Sequence, residues 1–297
     1  MTVTTQAARP AARPGRSRVT LQDRERRRGV WLSALAWVIG LIFVGPVLWM
    51  LLTSLHSETD AATNPPALFA PLTLSSYANF FGAAGGANPW PALINSIVIS
   101  LVSTALVLAF AIPAAYALSI RPVKKWSDTL FFFLTTKMLP MVAGLLPVYL
   151  IAKTLHLLDT PILMIIIYTS MNLPIATWMM RSFFAELPLE VLEAAEMDGA
   201  GMLTLFRAVI MPMASPGIFA TGLICFIFSW NELLFASVLT GTTSITAPVF
   251  LTSFVTSEGL FLSKVCAASI AVSLPVLAAG FAAQDKLVQG LSLGAIK

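Results

Sequence analysis

Five carboxylates crowd one short segment of an otherwise apolar chain: Glu186, Glu190, Glu193, Glu196 and Asp198. They lie between Arg181 and Pro212, in the stretch RSFFAELPLEVLEAAEMDGAGMLTLFRAVIMP. At about 100° per residue, Glu186, Glu190 and Glu193 fall within about 60° of one another on a helix. Leu187, Val191, Ala194 and Ala195 fill a neighbouring apolar face. Pro188 suits the first turn of that helix, and Asp198-Gly199 predicts its end, because glycine takes the left-handed cap without steric cost. A second short helix is expected over Met202–Val209. Small side chains admit close backbone approach, and carboxylates pair with Arg or Lys. The chemistry on offer is docking against a partner; a solvated amphipathic loop is the plain alternative.

Two further ionisable residues stand inside apolar runs, Lys137 and Glu232. An ion-coupled transporter places carboxylates near the midplane, and a single Glu232 makes a poor relay. If a solute moves through this chain, its energy comes from elsewhere. Asn95, Ser96, Asn172, Trp178, Asn231 and Glu232 could line a path for a polyhydroxylated solute or could join helices by hydrogen bonds. Lys137 has three readings: it snorkels, faces a cavity, or meets a partner chain. Enzymatic chemistry finds no foothold. There is no G-x-x-x-x-G-K-[ST] phosphate loop, no H-x-x-x-H or Cys/His cluster for a metal, and no hydrolase elbow or intramembrane carboxylate pair. His56 and His156 sit at span ends, while Cys225 and Cys266 lie in apolar runs as small hydrophobes.

The elements that must position these residues are membrane spans. Of 297 residues 57% are hydrophobic and 11% charged, with mean hydropathy +0.84, against about 25% charge in soluble domains. This excludes a soluble enzyme, bulk disorder and a secreted disulfide scaffold. Six runs approach the about 20 apolar residues a spanning helix needs: Gly29–Ser57, Leu93–Ile120, Leu130–Ile151, Pro161–Met180, Ile210–Leu239 and Val265–Ala283. Period-2 alternation is absent, so the fold class is all-α membrane protein. With both termini cytoplasmic, fifteen of the 18 Lys and Arg fall inside and only Lys153 and Lys264 outside, as the positive-inside rule requires. That distribution explains the net charge of +4 without nucleic acid. Residues 1–28 read as a disordered basic cytoplasmic tail touching anionic lipid, 29–283 as the membrane domain with the acidic loop at 181–212, and 284–297 as a cytoplasmic C-terminal tail. An uncleaved first span is expected in preference to a signal peptide, since the apolar stretch is too long for an h-region. The outer loop Glu58–Pro91, with Asn64-Pro65-Pro66, Leu74-Ser75-Ser76-Tyr77 and Gly85-Gly86, predicts short helical pieces.

One spacing is specific. Glu193-Ala194-Ala195, then Gly199, then Val209-Ile210-Met211-Pro212 is similar to the EAA signature of ABC importer permeases; Asp198 and Ala200 fit its D-G-A form. Val209 and Met211 replace Ile and Leu of the usual pattern. Asn95-Ser96, Phe228-Ser229-Trp230-Asn231-Glu232 and the ending Gly290-Leu291-Ser292-Leu293-Gly294-Ala295-Ile296-Lys297 resemble the carbohydrate branch, in particular the maltose-type second membrane subunit. Thr136-Lys137-Met138-Leu139-Pro140 resembles sorbitol/mannitol-type permeases, a weaker cue. The resemblance runs from Trp31 to the end and implies a type I importer fold of six spans in a bacterial inner membrane. It implies a second permease chain, an ATP-binding-cassette ATPase dimer and an extracytoplasmic substrate-binding protein as partners. ATP and Mg would reside on the ATPase, with no cofactor in this chain. It implies docking of Glu190, Glu193, Ala194, Ala195, Asp198, Gly199, Ala200 and Pro212 against the ATPase. The substrate is expected to be a sugar or polyol, with a disaccharide or glycerol-3-phosphate as alternatives.

Overall fold

The computed structural model describes residues 18–63, 69–82, 88–121, 123–256 and 259–295. Residues 1–17 of the basic tail and the turns at Asn64-Pro65-Pro66 and Gly85-Gly86 lie outside them. The chain divides into two compact units, the first ending at Leu52 and the second starting at Thr53. Helix α1 (Arg18–Ser54) holds the first span and takes in Arg18–Arg28, which the sequence reading assigned to the tail. At the other end, α14 (Leu262–Ala295) continues through 284–295, so that tail is largely helical too.

Within the second unit, α2 (Glu58–Ala61) and α3 (Ser75–Phe80) are the short helical pieces expected in the loop after the first span. They meet the start of α14. The Ser263 hydroxyl donates to the His56 carbonyl at 2.6 Å and lies 2.7 Å from that of Ser76. The Glu58 carboxylate accepts from the Ser263 and Lys264 amides at 3.4 and 3.3 Å, satisfying donors at the helix N-terminus.

Spans two, four and six are continuous, in α4 (Trp90–Ser119), α7 (Pro161–Ala185) and α14. Spans three and five are not. Helices α5 (Trp126–Thr136) and α6 (Met141–Thr154) meet at 83°. The break falls on Lys137-Met138-Leu139-Pro140, where proline disfavours helix in the residue before it and itself sits at ψ 121°. Span five bends by 72° between α10 (Met211–Met213) and α11 (Ser215–Trp230). Pro216 has no N–H to give to the Pro212 carbonyl, and its ring crowds it. The run then breaks again at Asn231–Leu233 before α12 (Leu234–Leu239) and α13 (Ala247–Thr252). Two-residue strands β1 (Val255–Thr256) and β2 (Gly259–Leu260) pair antiparallel ahead of α14.

Helix α4 packs along α7, and α11 packs on α4, α7 and α14. One core at the acidic-loop end joins Val107, Ala111, Tyr116, Ala176, Met180 and Phe184 to that loop. Faces of α4 bearing Ile94, Leu101 and Phe110 stay exposed, as hydrocarbon around a span requires. Gly217 is a point of close approach: a Cβ there would lie 2.3 Å from Phe183 Cγ.

Candidate functional site

The acidic loop folds as α8 (Leu189–Met197), with Pro188 as its extended N-cap instead of within its first turn. Gly199 has φ +82°. Its amide donates to the Glu196 carbonyl and that of Ala200 to the Ala195 carbonyl, each at 3.0 Å. This pair of bonds is the Schellman stop, which the Asp198-Gly199 sequence predicted. Leu192, buried to 4% exposure, anchors α8 in the core beside Leu205 and Ile210, with Leu187 and Ala195 packed around it. The sequence reading missed Leu192 and grouped Leu187, Val191, Ala194 and Ala195 on one apolar face; Leu187 and Ala195 are half-buried, while Val191 and Ala194 are exposed, as are Glu190 and Glu193. One face therefore holds the helix and the other presents carboxylates, Ala194 and an 88% exposed Met197. Glu196 pairs with Arg121, just past the end of α4. Hydrogen bonding to Tyr116 and then the Glu196 charge raise the Arg121 pKa. Arg181 lies over the Trp126 ring at 4.1 Å, a cation–π contact near the C-terminal end of α7. Met202–Val209 is helical but composite: α9 (Met202–Thr204) followed by a π-helical stretch, Leu205–Ile210.

The polar candidates within the spans separate into two kinds. Lys137 lines a cleft of about 420 Å³ with Thr136, Ser170, Met171 and Phe235. The Thr136 and Ser170 hydroxyls donate to the carbonyls of Phe133 and Ile167, at 2.6 and 2.8 Å. Their lone pairs remain as acceptors, and the Lys137 ammonium is the cleft's cationic donor. Asn231 lines a second cleft of about 610 Å³, with Trp230, Pro248, Thr252, Ser269 and Ser273. Asn95, Asn172 and Glu232 instead join elements of the fold. The Asn172 amide donates to Ser229 Oγ at 3.0 Å, and Ser103 donates to the same oxygen at 3.3 Å, tying α4, α7 and α11 together. Asn95 donates to the carbonyls of Thr243 and Ile245, both at 3.0 Å. Ser96 accepts from the Ala247 amide at 2.7 Å. Glu232 accepts from the Phe235 and Ala236 amides at 2.9 and 3.1 Å and so caps α12, with the Tyr168 hydroxyl at 3.2 Å. Trp178 is 48% exposed and lines neither cleft. Among the described residues no group of three His, Cys, Asp or Glu side chains could hold a metal.

One polar residue escaped sequence reasoning. Asp159 precedes Thr160-Pro161, where Thr160 caps α7 by accepting from the Leu163 amide at 3.3 Å. The Asp159 carboxylate reaches instead across the fold to the amides of Gly241, Thr243 and Ser244 and to the Ser244 hydroxyl, at 2.7 to 3.0 Å. Burial opposes its charge, but the amides of Ser244, Thr243 and Gly241 together outweigh it and hold the carboxyl far below the usual range.

Residues 107–291 match the profile of the family described as "Binding-protein-dependent transport system inner membrane component". The chain belongs to this family. The permease is 38% identical over 276 residues to the probable ABC transporter permease protein y4oR of Sinorhizobium fredii, covering 93% of this chain and 98% of that one. It is 32% identical to the trehalose transport system permease protein SugB of Mycobacterium tuberculosis, over 92% of this chain and 98% of the relative. Its fold matches a crystal structure of a bacterial ABC transporter involved in alginate import, with TM-score 0.72 at 23% identity, covering 93% of this chain and 100% of that one. The permease is an integral, multi-pass inner-membrane protein. It is not an enzyme; ATP hydrolysis belongs to a separate ATPase.

Proposed function

We propose that this permease forms a sugar pathway together with a second permease chain, and that α8 couples it to an ATPase dimer. The observation that carries the reading is α8 itself: anchored by Leu192, stopped at Gly199, and presenting Glu190 and Glu193 outward. A helix held rigidly on one side and open on the other suits a partner's cleft. ATP shifts the spans only as far as it favours the closed ATPase over the open one, and α8 passes that difference on. A substrate-binding protein supplies the sugar from the extracytoplasmic side. Both termini are cytoplasmic in this reading, as the charge distribution requires. On labelling of intact cells, a cysteine placed at exposed Ser75 should react from outside and one at exposed Ser127 only after permeabilisation. Outside labelling at Ser127 would reverse the orientation.

The substrate in this reading is a sugar or polyol, with a disaccharide or glycerol-3-phosphate as the alternatives. The polyol reading rests on the Thr136–Pro140 run; relatives named for trehalose and diacetylchitobiose favour a disaccharide. Either would meet the donor and acceptors of the Lys137 cleft or the hydroxyls around Asn231. Lys137→Met and Asn231→Ala are each expected to lower uptake about five- to thirtyfold, the cost of losing one to two hydrogen bonds near 1 kcal/mol each, with the complex still assembled. Labelled trehalose and sorbitol uptake into cells, beside co-purification of the ATPase, measures this. Unchanged kinetics for whichever sugar is taken up would assign both residues to packing.

A further inference from the structure

The outer connection between spans five and six is held by side chains far from it in sequence. Asp159 stands at the start of α7, the end opposite α8. Its own amide donates to the Leu239 carbonyl at 2.9 Å. Its carboxylate accepts four hydrogen bonds from Gly241, Thr243 and Ser244. Both His156 and Asp159 have positive φ, +56° and +55°, a conformation aspartate tolerates and which turns the carboxylate onto the loop. Gly241 completes the seat: a Cβ there would lie 2.9 Å from Asp159 Oδ2 and 3.1 Å from its Cγ. A few residues on, Asn95 and Ser96 of α4 hold Ile245 and Ala247. The chain then enters α13, whose Pro248, Leu251 and Thr252 form one wall of the Asn231 cleft.

We propose that Asp159 is a positioning residue for that cleft: by gathering the amides of residues 241–244 it fixes the path into α13 and so the cleft's α13 wall. This rests on the reading of the Asn231 cleft as part of the sugar pathway. Asn95 and Ser96 fix the segment to α4, and Asp159 fixes it to the α6–α7 corner. A wall tied at both places keeps its distance from α11 and α14 while the spans move. The latch uses a single carboxylate against backbone amides, so isosteric Asp159→Asn loses acceptors without losing volume. Gly241→Ala acts on the same latch from the other side, by displacing an intact carboxylate.

The test uses the complete complex, co-expressed with its second permease and ATPase, purified in detergent and carrying Cys225→Ala and Cys266→Ala. A reporter Ser269→Cys, half-buried in the cleft opposite the α13 wall, is labelled with a maleimide, and a second reporter, exposed Ser127→Cys at the far end, serves as control. Asp159→Asn is expected to speed labelling at residue 269 at least about threefold through local opening, with no change at residue 127. Gly241→Ala should give the same increase, and the double variant no more than either single one. Unchanged labelling at residue 269, multiplicative effects in the double variant, or equal acceleration at residue 127 would each overturn the positioning role. If the labelling behaves as expected but Asn231→Ala leaves sugar uptake intact, the latch stands and the reading of the cleft as a pathway falls.

Discussion

Gly199→Val is expected to leave the spans inserted and to abolish coupled uptake. Gly199 stops α8 at φ +82°, and its Cβ position meets nothing within 4 Å. The cost is therefore conformational and not a clash. Holding a β-branched residue in left-handed backbone costs of order 1–3 kcal/mol, and α8 escapes it by unwinding its last turn. That turn carries the Ala194-Ala195 pair and follows directly on Glu193. Asparagine accepts the left-handed cap, so Gly199→Asn should retain most uptake. Glu193→Lys tests the same surface without touching the backbone. It removes a charge-assisted contact of roughly 1.5–3 kcal/mol, about ten- to a hundredfold in docking affinity. Co-purification of the ATPase with each variant, sugar uptake and ATP turnover decide the matter. Normal assembly with normal coupled uptake in both Gly199→Val and Glu193→Lys would remove α8 from the coupling path.

Gly217→Ala should act through packing. Its Cβ would lie 2.3, 2.6 and 2.8 Å from Phe183 Cγ, Cδ2 and Cβ. These atoms are near the root of the ring, so α7 and α11 must separate instead of letting the ring swing aside. Overpacking of this kind costs typically 1–3 kcal/mol. The strain falls where α7 leads into Glu186-Leu187-Pro188, around a cavity of about 260 Å³ that Gly217 also lines. We expect a lower melting temperature in detergent and loss of most of the assembled complex. Adding Phe183→Ala should restore both. A double variant as unstable as the single would show that the α7–α11 approach is not set by this pair.

The spans and the stop of α8 were legible because each is written locally. Twenty apolar residues in a row have one low-energy use, and the Asp198-Gly199 stop follows from backbone sterics alone. The breaks in spans three and five were marked by Pro140 and Pro216, but a proline within a span is also tolerated, as Pro113 and Pro174 show. Leu192 and Val191 are adjacent and equally apolar; which one faces inward depends on the rotation of α8 against Leu205 and Ile210. The polar residues were visible, but their partners were not. Asn231 opens into a cleft, while Asn172 bonds a serine 57 residues away. Asp159 reaches residues 82 to 85 positions on, a pairing that only the closed fold brings about.

The π-helical stretch Leu205–Ile210 has a mechanical meaning. A π turn carries surplus residues and strained bonds relative to an α turn, so it behaves as a slack cable and not a pushrod. The backbone from α8 to span five is thus the softer connection. The stiffer one runs sideways, from Leu192 into the core that holds Ala111, Ala115 and Met180, close-packed groups that do not compress. In the proposed coupling, a push on α8 would reach α4 and α7 through these side chains, and the polypeptide link would follow.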